Sequence, residues 1–304
     1  MANLRDIKRR IASVKSTKQI ARTMEMVSTA KIRHALDAAH AAEPYKDAIT
    51  LMLSNVVHSH QDVNEPLLRE HDEVKHAVLV VVASDRGLAG GFNVSMQRSA
   101  EAKMREMKAA GIEVDLITCG KKPTEYFHYR GYEPVLAFVS SSSNPTMEEA
   151  DKVASYVIHG YEQGTIDKVY IYYQHAKNRM EQTPVMEQLL PIQAEDMKMP
   201  NTPRQREATT QISAPVQASY DFEPSASEVL GYLLPTYIRT VIYHALLDSA
   251  AAEHGARRRA MQAATDNATE VITTLSRSYN RIRQGSITTE LNEIVGGASA
   301  LEDM

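Results

Sequence analysis

The segment whose spacing comes closest to a chemical motif is the glycine-rich turn at 84–93, SDRGLAGGFN. It follows the apolar run HAVLVVVA at 76–83 and precedes a helix-like segment, the place where α/β proteins bind phosphate through backbone N–H groups. Such turns have the spacing G-x-G-x-x-G or G-x-x-x-x-G-K-[ST]. The glycines at 87, 90 and 91 match neither pattern, and no lysine follows within the turn. We interpret it as a tight strand-to-helix turn with Asn93 near the helix cap.

One further residue keeps a nucleotide-binding hypothesis open. Asp115 lies about 24 residues beyond Gly91, which is close to the spacing of the acidic residue that binds a ribose hydroxyl. It also lies on an alternating strand pattern, where half of the side chains face solvent. The alternative function is therefore a nucleotide-binding α/β protein with helical arms.

Other reactive side chains form no convincing site. His58, His60 and Asp62 could hold a metal, but histidines two apart do not share a helix face, so a solvated helix end explains them better. Cys119 ends a strand-like run and reads as a small core residue. The serines at 140–143 have loop chemistry and no GxSxG motif around them. We predict no catalytic, cofactor-binding or metal site in this chain.

Strand-like and helix-like segments alternate between residues 74 and 192. Apolar runs typical of buried strands lie at 78–83, 114–119, 135–139 and 169–173. Helix-like stretches separate them at 94–110, 122–130 and 148–161. The last begins with TMEE at 146–149, a capping-box sequence. The alternation predicts a Rossmann-like parallel sheet covered by helices, with 188–192 as an edge strand.

Both ends of the chain read as long helices. The first 43 residues contain no proline or glycine, and the apolar spacing continues past Pro44 to about residue 58. After Pro235, which suits a first helical turn, no proline follows. We predict an α/β fold plus a long antiparallel coiled coil. Its domains are an N-terminal helix 1–58, the Rossmann-like domain 74–192, a linker 193–224 and a C-terminal helix 225–304.

Charge is unevenly distributed along the chain, although the net charge is only −4. Residues 1–34 hold nine basic and two acidic side chains, and residues 257–283 hold six basic and two acidic ones. The N-terminal 44 residues lack aromatic side chains before Tyr45, which disfavours stacking on nucleic acid, so we predict no nucleic-acid partner. The charged N-terminus differs from a secretory signal, and a single cysteine fits a reducing compartment.

Four segments carry a family resemblance. They are RDIKRRIASVKSTKQIARTMEMVSTAK at 5–31, SDRGLAGGFN at 84–93, LLPTYIRTVIYHALLDSAAAEHGARRRAM at 233–261, and ATDNATEVI with LSRSYNRIRQGSITTELNEIVGGASAL at 264–301. In order along the whole chain, they resemble the gamma subunit of the F-type ATP synthase, bacterial type. The match is most specific at the two ends.

The resemblance implies a central-stalk rotor subunit. In that family the paired terminal helices lie inside a ring of three alpha and three beta subunits, and the Rossmann-like domain lies near the membrane c-ring. The subunit couples c-ring rotation, driven by protons or sodium ions, to ATP synthesis or hydrolysis in the beta subunits. The resemblance also implies no cofactor, an epsilon subunit as partner, and a peripheral location on the cytoplasmic face of the cell membrane.

Carried over position by position, the resemblance implies contact residues. Those toward the beta subunits are Met24, Arg257, Arg283, Gln284, Thr288 and Glu290. Those toward the c-ring are Tyr220, Phe222 and Glu223. The basic ends would form one positive belt toward acidic beta-subunit loops, through solvated ion pairs that are worth under about 1 kcal/mol and break easily.

Three positions depart from the family pattern. Ala89 stands where the family often has cysteine, so a cysteine is not essential there. Arg258 and Arg259 stand where apolar residues are usual. Gly255 replaces a usual alanine and is expected to cost the helix about 1 kcal/mol.

Overall fold

A computed structural model describes residues 4–59, 65–178, 180–193, 223 and 225–302. The chain divides into two compact units. One contains residues 1–29 and 257–304, and the second contains residues 30–256. The two long terminal helices each contribute to both units, because helix α1 spans Leu4–Ser59 and helix α5 spans Ala226–Glu302.

The second unit contains a five-stranded sheet with the strand order β3-β2-β1-β4-β5. Its strands are β1 His76–Val82, β2 Glu113–Cys119, β3 Leu136–Phe138, β4 Lys168–Ala176 and β5 Gln182–Leu190. The first four strands run parallel, and β5 pairs antiparallel with β4. The connecting helices are α2 Phe92–Ala109, α3 Lys121–Tyr129 and α4 Met147–Glu162.

Strand β1 is buried on both faces, as its continuous apolar sequence requires. Ala77, Leu79 and Val81 lie in a cluster with residues of α2, α3 and β2. The alternate residues Val78 and Val80 lie in the larger core cluster with residues of α1, α4 and α5. The terminal helices therefore complete the core of the sheet unit, on the face that also holds α4.

The predicted fold class is confirmed: long N- and C-terminal helices enclose a Rossmann-like sheet in the sequence. Early residues of α1 share a unit with late residues of α5, which is the order of an antiparallel pair. Thr146 is the N-cap of α4 as the capping-box sequence predicts, and its backbone N–H donates to the Glu149 carboxylate at 3.3 Å. The domain boundaries proposed above stay predictions, since most of the segment 193–224 lies outside the described residues.

Two details differ from the sequence expectations. Strand β5 begins at Gln182 rather than 188, because its outer half alternates polar and apolar residues and lacks a continuous apolar run. Pro235 lies inside α5 and not in its first turn, since the helix already begins at Ala226. Pro44 likewise lies within the continuous helix α1.

Gly255 has a packing role that its helix propensity does not reveal. A Cβ atom built there would lie 2.4 Å from Gln182 Nε2 and 3.2 Å from Ile32 Cδ1. Glycine therefore lets α5 approach both α1 and the first residue of β5. The helix-propensity cost of glycine, about 1 kcal/mol, must therefore be weighed against the close contacts that a larger side chain would disturb.

We predict that Gly255→Ala stabilises the wild-type chain less than its helix propensity alone would, because the new methyl group must displace the Gln182 amide and presses on Ile32. In a Gln182→Ala background, the same change should stabilise by up to about 1 kcal/mol, since the main obstruction is gone and the propensity gain remains. Urea unfolding of the four proteins of this double-mutant cycle measures both values.

Gly231→Ala is the matched control in the same helix, because Gly231 is exposed and its added Cβ meets nothing within 4 Å. It should stabilise by roughly 0.5–1 kcal/mol in either background. Equal stabilisation by Gly255→Ala and Gly231→Ala in the wild-type chain would contradict the packing role.

Candidate functional site

The six residues predicted to contact beta subunits all belong to the unit formed by residues 1–29 and 257–304. Four of them lie exposed on α5: Arg283, Gln284, Thr288 and Glu290. Met24 lies half-buried on α1. Arg257 differs from the other five, because only 6% of its surface is exposed.

The exposed residues of α5 form one broad face. Positions three and four apart are neighbours on a helix, so Gln284 lies beside Thr288, and Arg283 lies beside Ile287. Thr288 Oγ1 donates to the Gln284 carbonyl at 2.9 Å, which holds this hydroxyl close to the helix. Three large apolar side chains continue the face with exposed fractions of 47%, 56% and 68%: Ile287, Leu291 and Ile294.

Basic side chains dominate the surface of the same unit. Arg277, Arg281 and Arg283 are exposed on α5, and Lys8, Arg10, Lys15 and Arg22 are exposed on α1. Arg9 forms a 3.5 Å ion pair with Asp6, but both side chains are mostly in solvent. This unit therefore has a surface suited to acidic partners through weak, screened interactions.

The residues predicted to contact the c-ring are only partly covered by the structure. Tyr220 and Phe222 lie outside the described residues. Glu223 is exposed, just before the start of α5.

The glycine turn at 84–93 is organised around a carboxylate of the chain itself. Asp85 accepts from the backbone N–H groups of Lys121 at 2.8 Å, Ser140 at 2.8 Å and Ser142 at 2.9 Å. Lys121 is the first residue of α3, and Ser140 and Ser142 follow β3. The Asp85 carboxylate thus occupies the carboxyl edge of the sheet and a helix N-terminus, the position where a Rossmann fold binds phosphate.

The electrostatics of Asp85 agree with this geometry. Partial burial is the largest single influence and would raise its pKa, but the backbone donors from Ser140, Ser142 and Lys121 together lower the pKa below its usual value. The carboxylate is therefore the stable form. A phosphate at this edge would meet a fixed negative charge that already uses the N–H donors, which argues against the nucleotide-binding alternative.

Asn93 stabilises the same turn in a way that differs from the expected cap. Its Oδ1 accepts from the Ser84 backbone N–H at 2.9 Å and from the Ser84 hydroxyl at 2.8 Å. The left-handed backbone of the turn falls on Leu88 and Gly90, with φ angles of 63° and 59°. The middle of the turn carries Ala89 into a cluster of small buried residues, namely Ala35 of α1, Ala176 of β4 and Ala251, Ala252 and Ala256 of α5.

Two further features among the described residues, a cavity and the lone cysteine, do not form a catalytic arrangement. A cavity of about 840 Å³ opens near His76 and Thr165, at the amino ends of the strands, which is the edge opposite to the one where α/β folds bind ligands. His76 Nδ1 there lies 2.6 Å from the Thr165 carbonyl. Among the described residues, no three His, Cys, Asp or Glu side chains are arranged to hold a metal ion. Cys119 is buried, and desolvation raises its pKa to about 12, so it is not a reactive thiolate.

Sequence reasoning missed two polar groups that the structure makes central. Asp85 lies three residues after the end of β1, which is a weak signal, and its three donors come from distant segments. Asp248 is 4% exposed within the apolar stretch YHALLDSAAA of α5, which is a stronger signal because a buried carboxylate needs partners. His175 Nδ1 lies 2.5 Å from one Asp248 oxygen, and the Ala176 N–H donates to the other at 2.9 Å.

Arg258 and Arg259, which depart from the family pattern, lie in different environments. Arg259 is exposed, whereas Arg258 is half-buried with its Nε atom enclosed. Within the described ranges, no helix has the length and apolar character needed to span a membrane.

Comparison with known proteins gives consistent matches over the whole chain. The family model described as ATP synthase matches residues 3–301. Relatives named ATP synthase gamma chain, from Desulforamulus reducens and Pelotomaculum thermopropionicum, are 40% and 42% identical to it. Both alignments cover 99% of this chain and 100% of the relative.

Solved structures share the fold at lower identity. A chain in the central stalk and c-ring structure of the Tetrahymena thermophila mitochondrial ATP synthase matches with a TM-score of 0.58 at 22% identity, covering 81% of this chain and 99% of that one. A chain of the Euglena gracilis mitochondrial ATP synthase matches with a TM-score of 0.63 at 17% identity, covering 98% and 94%.

Replacing Asp85 tests the role of the carboxylate in the turn. We predict that Asp85→Asn destabilises the chain by about 1–3 kcal/mol at neutral pH, because an NH2 group replaces one carboxylate oxygen and faces an N–H donor that has then lost its acceptor. The lowered pKa means that the ionised carboxylate contributes stability above the ordinary value of 3.8, and this contribution is lost as the pH falls through the folded-state value.

Urea unfolding between pH 7 and pH 3 measures this effect, and the difference between the wild-type chain and the variant should shrink toward pH 3. Asp72→Asn, at an exposed loop residue, serves as the control and should change stability by less than about 0.5 kcal/mol. Equal effects of the two substitutions at pH 7 would show that Asp85 does not organise the turn.

Proposed function

Because the chain belongs to the ATP synthase gamma-chain family, we propose that it is the central-stalk rotor subunit of an F-type ATP synthase. In this role it couples rotation of an ion-driven c-ring to ATP synthesis or hydrolysis in the alpha–beta hexamer. The observation that carries the proposal is the match over the full length of chains named ATP synthase gamma chain. The coupling ion is a proton or a sodium ion.

The chain is a subunit of the complex and does not itself carry the catalytic site. Its contribution is mechanical and depends on contact surfaces. A rotor that presents different faces to three identical beta subunits stabilises a different conformation in each one, which is a shift of populations by one asymmetric ligand. The residues described above therefore keep the two helices paired and present the faces of that pair to the beta subunits.

The face at 283–290 is the strongest candidate for contact with the beta subunits. It combines Arg283 and Gln284 with the exposed apolar side chain of Ile287, and Leu291 continues it, so it offers both charge and apolar surface. Solvated ion pairs at this face contribute at most about 1 kcal/mol each. Contacts of that strength guide a rotating surface without holding it in one position.

Met24 and Arg257 are proposed as contacts of a different kind. Met24 is half-buried, and its flexible side chain can adapt to changing neighbours. Arg257 is 6% exposed, so little of its surface is available to a partner in the free chain. We propose that Arg257 mainly supports the helix surface around it.

The c-ring contact is proposed for Tyr220, Phe222 and Glu223, on the resemblance alone for the first two. The same reasoning gives the epsilon subunit as a further partner. A peripheral position on the cytoplasmic face of the cell membrane follows from the proposed attachment to the c-ring.

Co-expression with alpha and beta subunits tests the proposal. We predict that the chain co-purifies with a complex of three alpha and three beta subunits and that the isolated chain neither binds nor hydrolyses ATP. Tight, stoichiometric ATP binding by the isolated chain would favour the nucleotide-binding alternative, and failure to enter the complex would contradict the rotor proposal.

Reversal of charge at the proposed contact face tests its role within the complex. Arg283→Glu should lower ATP-driven ion pumping by up to about fivefold, since it replaces an attraction of at most about 1 kcal/mol and adds repulsion from acidic partner surface. Pumping by membrane vesicles that contain the full complex is the measurement.

Lys103→Glu is the control, because Lys103 lies on α2 in the other unit and pairs there with Glu106. It should leave pumping unchanged. The contact proposal fails if Arg283→Glu assembles normally and pumps at the wild-type rate in low salt, where charge effects are largest.

A further inference from the structure

A cavity of about 430 Å³ with both apolar and titratable lining lies where α1, β4, β5 and α5 meet, within residues 30–256. Two histidines and a carboxylate line its wall: His175 from β4, and His244 and Asp248 from α5. His244 and Asp248 are four residues apart, so they share one face of the helix. The cavity therefore places titratable groups at the joint between the sheet and the C-terminal helix.

Asp248 holds β4 through both of its oxygens. The Ala176 N–H donates to one oxygen at 2.9 Å, and His175 Nδ1 lies 2.5 Å from the other. The Asp248 side chain is 6% exposed and that of His175 is 45% exposed. This hydrogen bond from the histidine to Asp248 raises the His175 pKa above its ordinary value of 6.5, against an opposing effect of partial burial.

The pKa of His244 is shifted in the opposite direction to that of His175. The His244 Nδ1 atom is buried and has no hydrogen-bond partner among the described residues. Burial, followed by the charge of Lys46, lowers the His244 pKa to about 4. The structure is therefore built around a neutral His244, one helical turn away from the charged pair.

Helix α1 supplies three charged groups to the cavity: Glu43, Lys46 and Asp47. Lys46 opposes a positive charge on either histidine, and Glu43 favours one on His244. Asp248 of α5 also favours a positive charge on His244, more strongly than Glu43 does, and His175 opposes one. Burial and then Lys46 are the larger influences, so the net effect lowers the His244 pKa.

The sheet supplies two more titratable groups, Tyr173 of β4 and Glu187 of β5. The Tyr173 hydroxyl donates to Glu187 Oε1 at 2.8 Å. Burial, with Glu187 adding to it, raises the Tyr173 pKa, so this tyrosine stays neutral. Tyr237 of α5 completes the titratable lining. Protonation of His244 would thus add a positive charge near Lys46 and near a protonated His175. The Asp248 carboxylate already binds His175 and Ala176 of β4.

We propose that this cluster is a proton-sensitive joint, in which the His175–Asp248 contact holds β4 on α5 and uptake of a proton by His244 loosens it. The proposal concerns regulation and goes beyond the rotor function. It implies that attachment of the sheet to the C-terminal helix weakens when the surrounding solution becomes acidic.

The two histidines set the pH range. The raised pKa of His175 means that its contribution is fully present below 6.5 and is lost as the pH rises through its folded-state value. The lowered pKa of His244 means that a cost begins as the pH falls below 6.5 and grows until about 4. The joint is therefore strongest near pH 6.5 and weakens in both directions.

Hydrogen–deuterium exchange of the full-length chain, corrected for the intrinsic pH dependence of exchange, tests the acid side. Between pH 6.5 and pH 4.5, opening at β4 and at residues 241–252 should increase by up to about tenfold per pH unit. In His244→Gln, which stays neutral, this increase should disappear. His159→Gln, at an exposed histidine of α4, should keep the wild-type response.

Titration of the histidine ring signals by NMR provides an independent measurement. His244 should remain neutral down to about pH 5, and Asp248→Asn should return the His175 titration toward 6.5. If Asp248→Asn fails to fold, His175→Gln tests the same bond, because it should abolish the exchange increase on the alkaline side. Titration of His244 near 6.5, or an unchanged acid response in His244→Gln, would overturn the proposal.

Discussion

Close approach between the sheet and the two long helices is the constraint on which the 30–256 unit depends. Ala251, Ala252 and Ala256 of α5 and Ala35 of α1 cluster with Ala89 from the glycine turn. Side chains this small let elements approach closely, so stability comes from many short van der Waals contacts between well-packed atoms. Gly255 belongs to the same stretch of α5 and reaches the same solution by having no side chain at all.

Hydrogen bonds to defined atoms then fix the relative positions of elements that close packing alone would allow to slide. Small apolar contacts resist separation but allow sliding, whereas the Asp248 carboxylate binds β4 at two defined atoms. The Asp85 carboxylate likewise fixes the positions of neighbouring elements, because it accepts hydrogen bonds from the start of α3 and from the segment that follows β3. Two buried or half-buried carboxylates therefore set the position of elements that apolar contacts bring together.

The elements of this fold could be predicted from sequence where the signal is local. The apolar runs, the capping box at Thr146 and the proline-free ends identify strands and helices, and the spacing of the glycines argues against a phosphate site. What depended on distant partners could not be predicted. The three donors of Asp85 and the tight fit at Gly255 depend on residues tens of positions away. The early start of β5 at Gln182 depends on pairing with β4, which its alternating outer half does not signal as a continuous apolar run would. The contact residues came from family resemblance, and only their exposure comes from the structure.

The buried state of Cys119 has a practical consequence for studying this protein. Cys119 is 5% exposed, and its thiol, with a pKa of about 12, holds almost no thiolate at neutral pH. Maleimide dyes and crosslinkers react with thiolates, so the native chain is silent toward them while it stays folded. A single cysteine introduced on an exposed face would then carry a fluorophore or a tether at one known position, with the native thiol left in place.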